Sequence, residues 1–452
     1  MIIKSYIEYD ILVVGGGPSG IIAAKAASTS GKKVCLIEKS GYLGGCNTKS
    51  LVVPLMTFHA GDKQIIKGYA EEFIKLIDEE GGTIGHIIDP LGVAATITPV
   101  ETEVYKYVAQ EYLIESGVDI LYHTEAMEVK KENENIDSII VKTRSGYYEI
   151  KSKYYIDATG EGEIAYLSGC DMKIGRDKDG KCQPMTMMFK INNVNIDKII
   201  TYADENPSEF IISKDINSLS EVKRIAVSGF FSKIKEGTRN NDFTVNRDRV
   251  LFFELNERGE VAINMSRVID KKSTEGFDLS DATIEGRRQV IEIYKFLKKY
   301  IPGFENAKIV QSADEIGVRE SRRVVGLYEV NENDIVDGSI FEDTVALGSW
   351  PIDIHDPEGK NLVIKEMKFG DYYGIPYRSL IPRGINNLLV TGKAISCTHE
   401  ALASIRVSPI CMALGHAAGI ASKIAIADEV SYKEIDINKL KFELVSSNQI
   451  IN

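Results

Sequence analysis

Two patterns of apolar and polar positions alternate along this chain. Residues 11–14 (Ile-Leu-Val-Val) form a short, unbroken β-branched run, as a strand buried on both faces should. A small-residue segment follows over 21–30, then a second buried strand over 34–37. Residues 66–79 have helical spacing. Thr98-Pro99-Val100-Glu101 reads as a capping box with proline at the first helical position and predicts a helix to about residue 116. Short β-rich segments follow at 119–123, 126–130, 136–143 and 148–150, and 153–157 is a further strand. The pattern then changes. Residues 185–191 and 251–268 read as strands, the second stretch turning at Asn256-Glu-Arg-Gly259, and Ser280 caps a helix to about residue 299. From 380 to 424 the first pattern returns. A strand over 388–392 ends in glycine, and Ser408 before Pro409 is an N-cap opening a small-residue helix to about 426.

The chemistry sits on the first pattern. Gly15, Gly17 and Gly20 make G-x-G-x-x-G directly after the first strand. The first glycine permits a tight turn, the second lets a pyrophosphate approach the backbone, and the third lets the next helix lie close to the strand. The first-turn N–H groups of that helix then face the phosphates. Glu38 closes the second strand, about 20 residues on, where an acid can hold both hydroxyls of a ribose. Strand, glycines, helix, strand and acid together outweigh a phosphate-free turn. The glycine-rich loop 39–48 can pass close to the same nucleotide.

At 452 residues the chain is long for one core, so two intertwined domains are expected. Composition is ordinary, with 44% hydrophobic and 27% charged residues. A net charge of −12 argues against a nucleic-acid surface, although a local basic pocket fits within it. Residues 1–9 are too short and polar for a signal peptide, and no apolar run reads as long enough to span a bilayer. The six cysteines form no C-x-x-C and no metal spacing. A reduced, cytoplasmic protein without a metal is expected.

Several separated stretches then point one way: the fingerprint, Gly44-Gly-Cys-Asn-Thr48, Asp157-Ala-Thr-Gly160, Gly317-Val-Arg-Glu-Ser-Arg-Arg323, Ile352-Asp-Ile-His355, Ile375-Pro-Tyr-Arg378 and Thr398-His-Glu-Ala401 through Gly415. In this order they resemble a large bacterial family of FAD-dependent oxidoreductases, distantly related to the glutathione-reductase and fumarate-reductase flavoproteins. The resemblance spans nearly the whole chain and is specific for the cofactor rather than the substrate. It implies an α/β fold: a three-layer Rossmann-type FAD-binding domain with a parallel sheet, and an inserted mixed α+β substrate domain. The expected division is 1–175 and 380–452 for FAD, and 176–379 for substrate.

Carried over by residue, Gly15, Gly17, Ser19 and Gly20 would meet the pyrophosphate and Glu38 the adenosine ribose. Gly45 and Thr48 would lie beside the ribityl chain or ring, and the backbone at Ala126 beside adenine. Ala158, Thr159 and Gly160 would form a second approach to the diphosphate. Gly392, Ile405 and Ser408 would line the ribityl chain and flavin. Pro18, Lys39, Gly44, Cys46 and Asn47 belong to the same set. One feature departs from the pattern. Many such flavoproteins place Gly-Asp at the C-terminal strand end, and here the pair is Gly392-Lys393.

His399 and His355 are the candidate proton donors or acceptors, because histidine has the pKa to pass a proton while flavin passes a hydride. The bland alternative for each is a hydrogen-bonded structural histidine. Arg406 either pairs with flavin or an anionic substrate, or bridges two domains. Tyr373, Tyr377 and Arg378 are substrate-pocket candidates, with Arg378 clamping a carboxylate; their alternative is interdomain packing. Cys46 reads as packing rather than as a redox thiol or flavin attachment, so non-covalent FAD is expected. Arg319, Arg322 and Arg323 with Glu320 read as a structural ion-pair network. Met185, Met187 and Met188 read as core filling.

The function these readings favour is hydride transfer between flavin N5 and a small anionic or carbonyl-bearing substrate. No second G-x-G-x-x-G follows a strand, so a protein electron donor or the substrate itself supplies electrons. Homo-oligomerisation is a further expectation. A flavin-dependent RNA-modifying enzyme is disfavoured by the acidic balance. An electron-transfer subunit of a larger complex is disfavoured by the missing iron–sulfur cysteine pattern.

Overall fold

The computed structural model describes residues 3–357, 362–365, 367 and 371–452. Alternation on its first strand sets the layers. In β1 (Ile3–Val14) the first half is largely exposed and the run 11–14 is buried. Ile11 and Val13 join the core with helix α1 (Pro18–Ser28), while Leu12 and Val14 pack on the opposite side with Ile139 and Val141. β2 (Val34–Ile37) lies parallel to β1. Helices α2 (Tyr69–Glu79) and α3 (Thr102–Glu115) precede β3 (Asp119–Leu121), which lies parallel to β2. β4 (Glu125–Glu132), β5 (Asn135–Thr143) and β6 (Gly146–Asp157) form an antiparallel meander, and β6 returns parallel to β1. The strand order is β3-β2-β1-β6-β5-β4.

A second, wholly antiparallel sheet occupies the middle of the chain. It comprises β7 (Phe189–Asn192), β8 (Phe210–Ile211), β9 (Ala226–Gly229), β10 (Val250–Glu254), β11 (Val261–Ile263) and β12 (Lys308–Ser312), in the order β8-β9-β10-β11-β7-β12. Helix α4 (Gly276–Tyr300) packs on it through Gly286, where an added Cβ would sit 2.9 Å from Met187 Cβ.

The chain then closes the first sheet. After the hairpin β13 (Ile352–His355) and β14 (Leu362–Lys365), strand β15 (Leu388–Val390) pairs parallel with the end of β6. The carboxyl ends Val14, Ile37, Asp157 and Val390 come into register at one edge, where open α/β sheets place their ligands. Helices α5 (His399–Ile405) and α6 (Ser408–Asp428) follow, and α6 lies along α1. The fold class is the α/β, parallel-sheet class read from the sequence.

Local readings shift by a few residues. Thr98 belongs to a strand paired with Leu55, so the capping box does not form; α3 begins at Thr102 with Glu101 as its N-cap. Helix α4 begins at Gly276, which puts Ser280 inside it. Met185 and Thr186 make only single bridges, to Val268 and Gly317, and the ladder begins at Phe189. Val407 is the N-cap of α6, so Ser408 and Pro409 open its first turn. The sequence reading found no apolar run long enough for a bilayer, but α6 has that length, with mean hydropathy 1.6; 89% of the window is buried within the protein.

The α1–α6 contact depends on missing side chains. A Cβ at Gly415 would meet Ser19 O at 2.1 Å, and one at Gly419 would meet Ala23 O at 2.4 Å. Backbone cannot yield as a flexible side chain does. Gly415→Val should therefore destabilise the protein by about 3 kcal/mol, the upper range for overpacking. Urea unfolding followed by circular dichroism checks this, and retention of parental stability would refute the close contact.

Candidate active site

A cavity of 810 Å³ opens at the registered strand ends. One end is built from backbone. Gly15 (φ +101°) turns the chain after β1, and a Cβ there would lie 2.6 Å from Ala158 O. Gly17, Pro18 and Ser19 bring the N-terminus of α1 to the wall, with Ala158, Thr159, Gly160 and Gly392 beside them. Ser19 Oγ and Thr391 Oγ1 are hydrogen-bonded at 2.8 Å, which ties this turn to β15. Gly20 is not on the wall: its Cβ would lie 1.9 Å from Gly15 O, so it serves the helix–strand approach. The cradle accepts backbone approach and offers a helix N-terminus, which suits a diphosphate.

Glu38, Lys39 and Ala126 line the same end. Glu38 Oε2 accepts from Gly16 N and Oε1 from Ser40 N, each at 2.8 Å. Lys49 Nζ donates to Oε1 at 2.7 Å, a buried pair missed in the sequence. Burial alone would raise the Glu38 carboxyl, but Lys49 and the two backbone donors outweigh it and hold it below the ordinary carboxylate value. Oε1 spends both lone pairs on Ser40 and Lys49, and Oε2 keeps one for a sugar hydroxyl.

Charge reverses at the other end. Arg247, Arg249, Arg267, Arg319 and Arg406 all line the cavity. Arg249 is occupied by Asp248, with Nε and Nη2 donating at 2.9 and 2.7 Å. Arg319 Nη1 donates to Pro184 O at 2.7 Å. Arg406 Nη2 donates to Asp353 O at 3.1 Å and lies 3.7 Å from Asp353 Oδ2. Burial, then the charges of Arg406 and Arg247, hold the Arg319 guanidinium well below its ordinary value. Burial, with Arg267 next, pushes Arg247 down to about 10. Among the described residues, the buried cavity-wall atoms Arg247 Nε, Trp350 Nε1, Asn264 Oδ1 and Asp353 Oδ1 have no hydrogen-bond partner in the protein. Unpartnered buried polar atoms are costly unless a ligand or water meets them.

His355 lies beside this cluster, its Nε2 3.4 Å from Asp353 Oδ2. Burial and the Arg319 charge push its pKa down to about 3, so at neutral pH it holds no proton to give as an imidazolium. His355, expected as a proton donor or acceptor, lines the cavity with its ring against Asp353. Burial works to raise the Asp353 carboxyl, but His355, Arg406 and Arg319 outweigh it and hold it well below the usual range.

Other candidates lie elsewhere. His399 is buried off the cavity wall, with Nδ1 2.9 Å from Glu320 Oε1. Glu320 also pairs with Arg323 at 2.5 Å, so the ion-pair reading holds for these two and absorbs His399. Arg322 instead stacks on Tyr166, and Arg319 faces the cavity. The substrate-pocket reading of Tyr373, Tyr377 and Arg378 is overturned. Tyr373 OH bonds Ser404 Oγ at 2.6 Å and Tyr377 OH donates to Tyr432 O at 3.0 Å, both in the core. Arg378 pairs with Asp343 and stacks on Tyr328. Short-range packing satisfies all three, which is why their motif misled.

Gly45, Cys46 and Ser408 line the cavity. Gly44, Asn47, Thr48 and Ile405 stand behind the wall: Asn47 Nδ2 donates to Val52 O and Thr48 Oγ1 to Leu43 O, both at 2.8 Å. They shape the loop rather than touch the space. Sequence reasoning missed Arg247 and Arg267. The signal was the dense Asn246-Arg-Asp-Arg249 just before a buried strand.

Residues 10–444 match the family model described as FAD dependent oxidoreductase. The chain belongs to this family. Its cofactor is FAD, and the backbone cradle, the ribose-ready carboxylate and the long cavity fit that group. The chain is 28% identical over 181 residues to digeranylgeranylglycerophospholipid reductase of Methanoculleus marisnigri, covering 36% of this chain and 42% of the relative. It is 48% identical over 59 residues to cinnamate reductase of Clostridium sporogenes, covering 13% of this chain and 8% of the relative. The matches to these curated relatives thus span less than half of their length. The fold is shared with p-nitrophenol 4-monooxygenase of Pseudomonas putida: TM-score 0.50, 12% identity, covering 99% of this chain and 88% of that one.

The Glu38 pair sets a pH signature. A carboxyl held below its ordinary value contributes stability that is fully present above the unfolded pKa of about 4.3 and is lost as pH falls through the lowered one. Glu38→Gln leaves Lys49 buried without its counter-charge and should destabilise the protein by about 3 kcal/mol at pH 7. That deficit should shrink below about pH 4. Urea unfolding at pH 7 and pH 3.5 measures both, and an equal deficit at the two values would show that Glu38 carries no lowered pKa.

Proposed function

We propose that this protein is a dehydrogenase or reductase that passes a hydride between bound FAD and a small organic substrate carrying an anionic group. The observation that supports it is the local excess of arginines over acids at the end of the cavity that holds Asp353. With Arg249 on Asp248, the guanidiniums of Arg247, Arg319 and Arg406 share a wall with Asp353. Burying like charges together is unfavourable unless an opposite charge arrives.

FAD supplies hydride acceptance and donation at its N5. The FAD-holding residues proposed are Gly15, Gly17, Ser19, Glu38, Ala126, Ala158, Thr159, Gly160, Gly392 and Ser408, from segments 1–175 and 380–452, with no covalent link. Arg247, Arg267 and Arg319 bind and orient the anion through fork-shaped N–H donors. Asp353 fixes Arg406, and His355 fixes Asp353. Arg406 and Arg319 hold positive charge where negative charge develops during the transfer, in a site that excludes water and so strengthens the interaction. A protein donor, or the substrate itself, supplies electrons.

Purified holoprotein, photoreduced without oxygen and mixed with unsaturated or keto acids, should reoxidise in a stopped-flow instrument; the methyl esters of the same acids should not. Arg406→Ala should keep its FAD, slow that step roughly a hundredfold and lower the flavin potential. Esters reacting as fast as acids would sink the proposal.

A further inference from the structure

We infer that the substrate is an amphipathic acid, with its anionic head among the arginines and an apolar body along the second sheet. This rests on the anionic-substrate reading above and narrows it. The support is a polarity gradient along one strand face. Side chains at i, i+2 and i+4 of a strand share a face. Arg249, Leu251 and Phe253, on and just before β10, stand in that relation, and all three line the cavity. The ladder register extends the face: Ser228 stands opposite Leu251, with Ile211 opposite Ser228, and Ala226 stands opposite Phe253.

The face is therefore polar at one end, where Arg249 is paired with Asp248, and apolar at the other. From residue 249 to residue 253 it runs about 13 Å at the usual strand rise. Leu251 and Phe253 share one apolar cluster with Met56 and Leu91, which face them from outside the sheet and also line the cavity. Ile211 lines it while remaining 40% exposed, an apolar surface that folding alone leaves uncovered. At the polar end, the buried and unpartnered donor Arg247 Nε is two residues before Arg249. A dicarboxylate without an apolar body would leave Leu251, Phe253 and Met56 against water. A neutral hydrocarbon would leave Arg247 Nε without a partner. An acid with an apolar body satisfies both ends.

Saturated carboxylates that cannot react serve as probes. Holoprotein is titrated with acetate, hexanoate, octanoate, decanoate, succinate and decanol, and binding is read from the flavin absorbance. Affinity should rise by about fourfold per methylene along the monocarboxylates, the factor for burying one CH₂. Decanol, lacking the head, should bind at least tenfold more weakly than decanoate. Leu251→Asn should flatten the chain-length dependence while FAD stays bound at full stoichiometry. Succinate binding with no chain-length dependence would overturn the amphipathic inference and leave the anionic reading standing. Failure of every acid to bind would remove the anionic reading and this inference together. Loss of FAD from Leu251→Asn would overturn the inference, since the apolar face would then belong to the cofactor.

Discussion

The close passage of α6 over α1 is the constraint on which the rest depends. Gly415 and Gly419 let one helix backbone rest on carbonyls of the other. Residues almost 400 positions apart thereby share one wall: Ser19 reaches Thr391 across a sequence separation of 372. β15 then joins β6 in register, and the start of α6 faces the same cavity as the fingerprint turn. Neither end of the chain makes this site alone. The glycines of the first turn shape one half, and small residues in the last long helix let the other half approach.

Burial then decides what each charged side chain can do. Glu320 and Arg323 are essentially inaccessible and satisfy each other, and His399 joins them. That network is closed, so it has structural consequences and little freedom for chemistry. The cavity cluster differs because its acids do not balance its arginines. Arg247 Nε and Asp353 Oδ1 stay unpartnered although buried. A folded protein tolerates such groups where binding later compensates them. Sequence proximity hides the distinction: Arg319 and Arg323 lie in one motif, yet one faces the cavity and the other fills the core.

Local pattern carried the nucleotide half of the molecule. The buried run 11–14, the three glycines and Glu38 all fall between residues 11 and 38, so spacing alone places them. Glu38's partner Lys49 was already beyond that reach in effect, because its approach depends on the turn made by the loop 39–48. The substrate half was less legible. Arg247, Arg267, Arg319 and Arg406 come from separate elements and meet only after the second sheet folds over the first. Tyr373, Tyr377 and Arg378 show the converse error: residue types suited to binding were used to pack and cap the core. Helix starts moved where strand pairing competed, as at Thr98, whose pairing with Leu55 removed it from the cap.

Lys393 completes the electrostatic picture. It stands at the end of β15, where related flavoproteins place an acid, and its Nζ donates to Val318 O at 2.9 Å. Its Cε would lie 3.3 Å from a Cβ at Gly160, so the side chain crosses the second approach to the diphosphate. Burial holds its pKa below the ordinary lysine value, opposed by Glu161. Lys393, Lys39 and Lys49 share that end of the wall with Glu38, Glu161 and Glu163, so the arginine excess is confined to the far end, inside a chain whose net charge is −12. Low-dielectric walls focus the field of that arginine-rich end inward. This local concentration of arginine within an acidic chain is the physical ground of the anionic-substrate proposal.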